Sequence, residues 1–355
     1  MYLKSIKLEN FRNYELQDIE FIKGINMFIG NNAQGKTNII ESIYLCALGK
    51  SYRATKDSEL INIKKEFAKV NLNYVKNNQN FKIDIFIDKN NKKIIKKDDI
   101  KIKKLADHVG EIPFIIFSPD SLDIVKGAPS KRRNFIDMMA SQISKSYLLK
   151  LQEYLKCLKL KNQILKSNNI DKEYIKILHE KMADYIFFIV DFRKKLISKL
   201  LEKSITIQKK LTNDNENINL IYETDFLNKS REEILNILNS HIEIEIMRKS
   251  SVKGIQRDDL IIYINDYEVA KFGSQGQNRT ALLTLKLANF ELLKEIKNEE
   301  PILLLDDIMS ELDENRVNFL LEYIKDYQSI ITTTEFKNDN VKNIKILKVE
   351  NGKLK

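Results

Sequence analysis

Polar and apolar positions alternate along residues 3–8, the period of a half-buried strand, and residues 19–22 resemble a second one that leads through Gly24 to an apolar run at 25–29. Residues 38–45 change to helical spacing, and Gly49 supplies a C-cap at which that helix should stop. Three more strand-like runs, at 67–72, 81–87 and 94–102, are separated by Asn- and Lys-rich turns and predict an antiparallel meander. Pro113, Pro119 and Pro129 then bracket a short apolar strand at 114–117 and the loop 118–127, the pattern of a hinge.

Beyond that hinge the period becomes helical. Residues 130–166 and 171–211 contain neither Pro nor Gly, and at about 1.5 Å per residue each arm of the resulting helical hairpin or bundle reaches on the order of 50 Å. That is far short of a long coiled coil. The charge run Arg193-Lys194-Lys195 needs only to solvate one face. From residue 218 the character is mixed again. Residues 242–246 and 260–264 read as strands, Asn265-Asp266 as a turn into 268–270, and 280–297 as an amphipathic helix. The fold class predicted is α/β, with residues 1–128 and 218–355 folding together as one unit and the helical segment 129–217 inserted between them.

With 355 residues, 43% hydrophobic and 31% charged, the chain can bury a core without cross-links and falls outside the disordered class. No apolar run approaches membrane-spanning length and the first residues lack a signal-peptide plan, so a cytoplasmic location with no membrane partner is expected. Cys46 and Cys157, the two cysteines, support neither zinc nor a disulfide. The formal charge of +10 is compatible with a nucleic-acid partner, but a chain rich in Lys, Asn and Ile would carry much of it as ordinary solvated lysine. Arginine is scarcer, ten against fifty lysines. Arg12, Arg53, Arg132, Arg133, Arg257, Arg279 and Arg316 fall beside features singled out in this section, a pattern that fits either places where a lysine would not serve or chance clustering.

The candidate chemistry starts at Gly30-Asn31-Asn32-Ala33-Gln34-Gly35-Lys36-Thr37, which fits the phosphate-binding pattern G-x-x-x-x-G-K-[ST] between a predicted strand and a predicted helix. Unpaired N–H groups at such a helix start, Asn38 included, face an incoming phosphate and the helix dipole adds attraction. Lys36 would lie on the β- and γ-phosphates, and the Thr37 hydroxyl would ligate Mg²⁺. The apolar strand at 301–305 ends in Asp306 and Asp307. Asp306 could hold the Mg²⁺ shell and Asp307 could orient or deprotonate an attacking water. On its own this would be no more than a strand end and a turn. A second glycine loop, Ser274-Gln275-Gly276-Gln277, precedes the helix at 280 and is another potential anion site or simply a helix cap. Four of the ten glycines lie in these two loops.

These elements resemble those of ABC-type ATPases: the loop at 274–277 resembles the signature loop, and Ser310-Glu311-Leu312-Asp313 resembles the D-loop. Four further stretches, Leu8 to Tyr14 with Asn10-Phe11-Arg12, Phe117-Ser118-Pro119-Asp120, Gly127-Ala128-Pro129 before Arg132-Arg133, and Arg257-Asp258-Asp259-Leu260, narrow the resemblance to the RecF family of recombination mediators related to SMC proteins. It covers nearly the whole chain. It implies an ABC-type ATPase head and a slow ATPase whose ATP and Mg²⁺ are sandwiched in a head-to-tail homodimer. Lys36 and Thr37 would bind in cis, and Ser274, Gly276 and Gln277 would reach the γ-phosphate in trans. Arg12 would be a phosphate contact, and Ser310 and Asp313 would cross the dimer interface. It further implies gapped or duplex DNA as partner and joint action with RecR and RecO in loading RecA.

Departures from the ABC pattern bear on rate. The usual glutamate is Asp307, one methylene shorter, and residues 332–335 supply no switch histidine, nor is there a Gln near Phe117-Ser118. An ATP-timed clamp rather than a motor follows. A nucleotide-binding DNA scaffold without hydrolysis and the ATPase subunit of another ABC system remain as rival readings. Arg132 and Arg133 fit either a DNA contact or a salt bridge at a helix start, and the lysine-rich stretch 89–104 fits either a DNA contact or a solvated hairpin.

Overall fold

The computed structural model describes residues 1–90, 92–336 and 343–355. In chain order it begins with strands β1 (Tyr2–Phe11), β2 (Tyr14–Glu20) and β3 (Ile25–Ile29), helix α1 (Lys36–Leu48), and strands β4 (Phe67–Lys76), β5 (Gln79–Asp88), β6 (Lys93–Lys97), β7 (Ile100–Lys101) and β8 (Phe114–Phe117). Helices α2 (Asp123–Lys126), α3 (Pro129–Ile143), α4 (Lys145–Lys166) and α5 (Lys172–Thr212) follow, then β9 (Ile218–Glu223), α6 (Arg231–Ser240), α7 (Ile242–Arg248), β10 (Asp259–Ile264), β11 (Tyr267–Glu268), α8 (Val269–Phe272) and α9 (Gln275–Lys297). The chain closes with β12 (Ile302–Asp306), α10 (Glu314–Ile324), β13 (Ser329–Thr333), β14 (Ile344–Glu350) and β15 (Lys353–Leu354). Internal contacts group these into two compact units, Met1–Ser121 with Asn289–Lys355, and Leu122–Ala288. The expected boundaries at 128/129 and 217/218 do not coincide with that division, because β9 packs on α5 and β10 on α3, so residues 218–288 cluster with the helices.

In the first unit the predicted meander joins the N-terminal hairpin as one antiparallel sheet, ordered β2-β1-β4-β5-β6-β7. The second sheet runs β15-β14-β3-β13-β12-β8, parallel throughout except for the terminal β14-β15 pair. Its strands β8, β12 and β13 are buried at every residue, which is why β8 and most of β12 read as unbroken apolar runs rather than alternating ones, while β13 buries Ser329, Thr332 and Thr333 as well. Helix α1 packs on β4 and β5 of one sheet and on β12 and β13 of the other. It is therefore buried all round from Ile39 to Leu48, with no solvent face to carry an amphipathic pattern. It ends, as expected, at a left-handed Gly49 whose N–H bonds to the Leu45 carbonyl.

The second unit holds the antiparallel sheet β11-β10-β9 and the helical hairpin. The predicted first arm is two helices, not one. Ser144 takes an extended conformation and its hydroxyl accepts from the Tyr147 N–H at 3.2 Å, capping α4. The second arm, α5, runs for 41 residues from an Asp171 cap, roughly 60 Å at 1.5 Å per residue. Arg193, expected on a solvated face, is fully buried. Its guanidinium bonds to Asp258 and Asp137 at 2.7 Å each and to the Tyr147 hydroxyl at 2.9 Å, tying α5 to α3, α4 and the start of β10. Arg132 forks onto Asp259 with two 2.7 Å bonds, and Arg133 bonds to the Asp258 carbonyl, so both serve internal pairing.

Two short stretches depart from the expected strands. Residues 242–246 form α7: Ile242 packs against Leu165 and Ile175, while Glu245 is buried against Lys161 Nζ at 2.7 Å and accepts the Val252 N–H at 2.9 Å. An alternation of five residues is too short to separate a strand from a helix that buries a charged side chain. After the turn at Asn265-Asp266, residues 269–272 form the helical turn α8 instead of continuing β11. Both cysteines are buried and free, and among the described residues no helix is long and apolar enough to cross a membrane.

Candidate functional site

The parallel sheet registers Asp306 against Thr332 and Thr333 against Ile29, so the C-terminal ends of β3, β13 and β12 lie along one edge, where open α/β sheets bind ligands. Gly30 to Gly35 bridge β3 and α1 at that edge, and Asn31, Asn32 and Ala33 form its exposed crest. A side chain at Gly30 would collide with the Val349 carbonyl. At Gly35 the backbone has φ +113°, which L side chains rarely adopt, and a Cβ would lie 2.5 Å from the Asn13 amide. Asn13 itself braces the loop by donating to the Gln34 carbonyl at 2.8 Å and accepting from Asn38 at 2.8 Å. The Tyr14 hydroxyl donates to the Gly35 carbonyl at 3.1 Å, and the Asn351 N–H to the Gln34 side chain at 2.6 Å.

Lys36 is buried and folded over this loop, its amine donating to the carbonyls of Gly30 and, at 3.1 Å, Asn31. Burial lowers its pKa, opposed by the charges of Asp307 and Asp306. The Asp306 carboxylate, 2% exposed, is fixed by three hydroxyls. Thr37 and Thr332 donate to Oδ1 at 2.8 Å each, and Tyr52 donates to Oδ2 at 3.0 Å. Asp307 follows in a left-handed conformation, φ 51°, its N–H held by the Thr332 side chain and carbonyl at 3.0 and 3.1 Å. Its Oδ1 is buried with no hydrogen-bond partner, and burial raises the carboxyl pKa against the pull of Lys36.

An orphaned carboxylate oxygen beside a hydroxyl and a second carboxylate is an all-oxygen donor set of the kind a hard cation takes when phosphates complete its shell. Among the described residues no group of three or more His, Cys, Asp or Glu could hold a metal alone. The residues fit a hard cation such as Mg²⁺ whose shell is completed by a nucleotide's phosphates.

Arg12, expected on phosphate, is bonded to the P-loop helix. Its fork closes on Glu41 of α1, Nη2 to Oε1 at 2.7 Å and Nε to Oε2 at 2.9 Å, and Nη1 bonds to the Glu59 carbonyl at 2.8 Å. The same buried carboxylate accepts from Ser51 at 2.5 Å and from Arg53 at 3.3 Å. Glu41 and Tyr52 were missed from sequence. A carboxylate inside the apolar helix around Ile39, Ile40 and Ile43 was the available signal, since a buried charge requires a partner. Ser310 and Asp313 are exposed: the Ser310 hydroxyl donates to the Asp307 carbonyl at 2.7 Å, and Asp313 caps α10 through the Arg316 N–H at 3.1 Å.

In the second unit, Ser274 and Gln277 cap the start of α9 reciprocally: the Ser274 N–H donates to the Gln277 side chain at 3.0 Å, and the Gln277 N–H to the Ser274 hydroxyl at 3.1 Å. Gln275 and Gly276 form the first turn, and Gln277 also donates to Glu216 at 3.1 Å.

The family model described as the RecF/RecN/SMC N terminal domain matches residues 2–355. The DNA replication and repair protein RecF of Clostridium novyi is 41% identical over 99% of this chain and 99% of its own length, and that of Clostridium kluyveri 42% over 100% and 99%. This chain belongs to the RecF family. A solved structure of the recombination mediator RecF with ATP, in the RecFOR pathway, superimposes with a TM-score of 0.91 at 34% identity, covering 100% of this chain and 97% of that one. An SMC head bound to the C-winged helix domain of ScpA shares the fold, with a TM-score of 0.61 at 17% identity. The RecF family is thus one of DNA replication and repair proteins on an SMC-type ATPase head, and the expected α/β head with its meander and inserted helices is the fold observed.

Proposed function

We propose that this RecF-family chain is an ATP-dependent, DNA-binding recombination mediator whose slow ATP hydrolysis times a homodimer. The observation that carries this is the sheet edge where Lys36, Thr37, Asp306 and the orphaned Asp307 oxygen meet the loop of residues 30–35. The N–H groups of the loop and of the first turn of α1 would cradle the phosphates, that of Asn38 on leaving the Gly35 carbonyl it bonds at 3.0 Å. Lys36 would release the Gly30 and Asn31 carbonyls to meet the β- and γ-phosphates. Thr37, while donating to Asp306, keeps lone pairs for a cation, and Asp306 would hold the water shell of that cation. Magnesium, when bound with ATP, would neutralise developing charge on the phosphates. Asp307 has a raised pKa and an unused oxygen, the properties of a group that could orient and accept a proton from an attacking water. Its short side chain and left-handed backbone limit its reach, which supports slow turnover.

In this reading Ser274, Gln275, Gly276 and Gln277 meet the γ-phosphate bound by a second copy, with Ser310 and Asp313 at the same interface. A shared γ-phosphate makes closure depend on ATP, and hydrolysis removes the bridge. The closed dimer would bind duplex or gapped DNA and, with RecR and RecO, promote RecA loading at gaps. Sedimentation with ATP, ADP or no nucleotide, with and without gapped DNA, tests it. A dimer with ATP alone, favoured further by DNA, is expected; a monomer under all conditions would remove the shared site.

A further inference from the structure

Tyr52 lies four residues past the end of α1, outside every motif recognised from sequence, yet its hydroxyl donates to Asp306 Oδ2 at 3.0 Å. The other oxygen, Oδ1, takes both Thr37 and Thr332. We propose that Tyr52 is a positioning residue for the metal side of the site, fixing the plane of the Asp306 carboxylate so that it meets a phosphate-bound cation in one orientation. This rests on the reading of the site as one for a magnesium nucleotide.

The placement of Tyr52 does not depend on Asp306. Its ring packs edge-on against Tyr44 of α1, with centroids 4.9 Å apart, and Tyr44 packs edge-on against Phe114 of β8 at 5.2 Å. Its main chain sits between clamped neighbours. The Ser51 hydroxyl donates to the buried Glu41 and accepts the N–H groups of Arg53 and Ala54 at 2.9 Å each, and Arg53 bonds to Asn38 at 2.9 Å. A donor held that firmly can orient its acceptor. Without it, Asp306 is anchored at one oxygen and can turn about its Cβ–Cγ bond. Thr37 then loses a fixed partner just where its hydroxyl must face the cation. Outer groups of this kind act on metal affinity more than on nucleotide contacts made elsewhere in the site.

The test compares the full-length chain with Tyr52→Phe, which keeps the ring contacts and removes only the hydroxyl. A fluorescent ATP analogue is titrated without metal, in chelator, and then with increasing Mg²⁺. Electron paramagnetic resonance of Mn²⁺ bound with ATP reports the geometry of the cation's surroundings directly. The expected result is a melting curve and a metal-free nucleotide affinity like those of the parent chain, with the Mg²⁺ needed for half-maximal binding raised roughly tenfold and a broadened Mn²⁺ spectrum. Mg²⁺ curves and spectra that superimpose on the parent's would overturn the proposal. So would a parallel loss of metal-free and metal-loaded binding, which would mean that the hydroxyl only supports the fold. Failure of the parent chain to show any metal-dependent nucleotide binding would instead sink the functional reading on which this inference stands.

Discussion

Replacing Glu41 by Gln isolates the charge at the centre of the network behind the phosphate loop. The Glu41 side chain has no exposure and accepts four bonds: two from Arg12, one from Ser51 and one from Arg53. Gln has the same shape, but its NH₂ must face at least one guanidinium donor. Removing one partner of a buried ion pair costs about 3–5 kcal/mol. Here the cost is reduced because Arg12 is 22% exposed and bonded to the Glu59 carbonyl, and Arg53 is 42% exposed, so water can reclaim part of each charge. A loss of about 2–3 kcal/mol remains, after that discount for exposure. For a unit of this size it lowers Tm by about 5–10 °C. Scanning calorimetry of the parent chain, Glu41→Gln, Arg12→Leu and the double variant gives both the loss and the coupling. A Tm within a degree of the parent, or effects of the two substitutions that simply add, would refute the idea that Glu41 holds Arg12 through charge.

The remaining expectations address other parts of the molecule. Burial beside Lys161 lowers His179 from 6.5 to about 4, with Asn239 and Glu245 the other polar groups facing it. The folded pKa lies below the unfolded one, so this contribution is complete above pH 6.5 and is lost as pH falls through about 4, on the order of 3 kcal/mol in all; urea titrations between pH 7 and 4 should show that slope, and His179→Gln should flatten it. Asp307 has the opposite sign: its folded pKa lies above the ordinary 3.8, so ionising it weakens the fold as pH rises past that value. Nucleotide-free Asp307→Asn should therefore melt above the parent at pH 7, and with ATP it should prolong the life of the DNA-bound dimer; unchanged values for both would remove its assigned role. Gly35→Ala places a Cβ 2.5 Å from Asn13 at φ +113° and should cost about 1–3 kcal/mol while abolishing nucleotide binding; retained binding would mean that the loop can relax.

The parallel core was legible because buried strands with helices on them leave apolar runs, and the loop that joins β3 to α1 because Gly35 and Lys36 obey the spacing of a phosphate-binding pattern. Thr332 was visible as part of a strand end, but the register that places it against Asp306 is a long-range property. Glu41 was hidden for a related reason: its partners Arg12 and Arg53 come from either side of α1 in sequence, and only the fold joins them. Arg193 was misread because two lysines follow it. One buried position in a helix does not alter the look of a charged run, and its partners Asp137 and Asp258 are 56 and 65 residues away. Residues 242–246 failed at the level of period, since Glu245 is buried by Lys161 rather than exposed by alternation.

The central claim is that each nucleotide site is completed by a second copy of the chain. Mixing two variants tests it most directly: Lys36→Ala, which lacks the amine over the phosphate loop, and Ser274→Arg, which blocks the signature-like loop at the start of α9. Each alone should remain monomeric with ATP and hydrolyse none. Their mixture can pair the intact phosphate loop of one with the intact Ser274 loop of the other, so ATP-dependent dimers and hydrolysis should reappear on mixing. A mixture as inert as its components, under conditions in which the parent chain dimerises, would contradict a shared site.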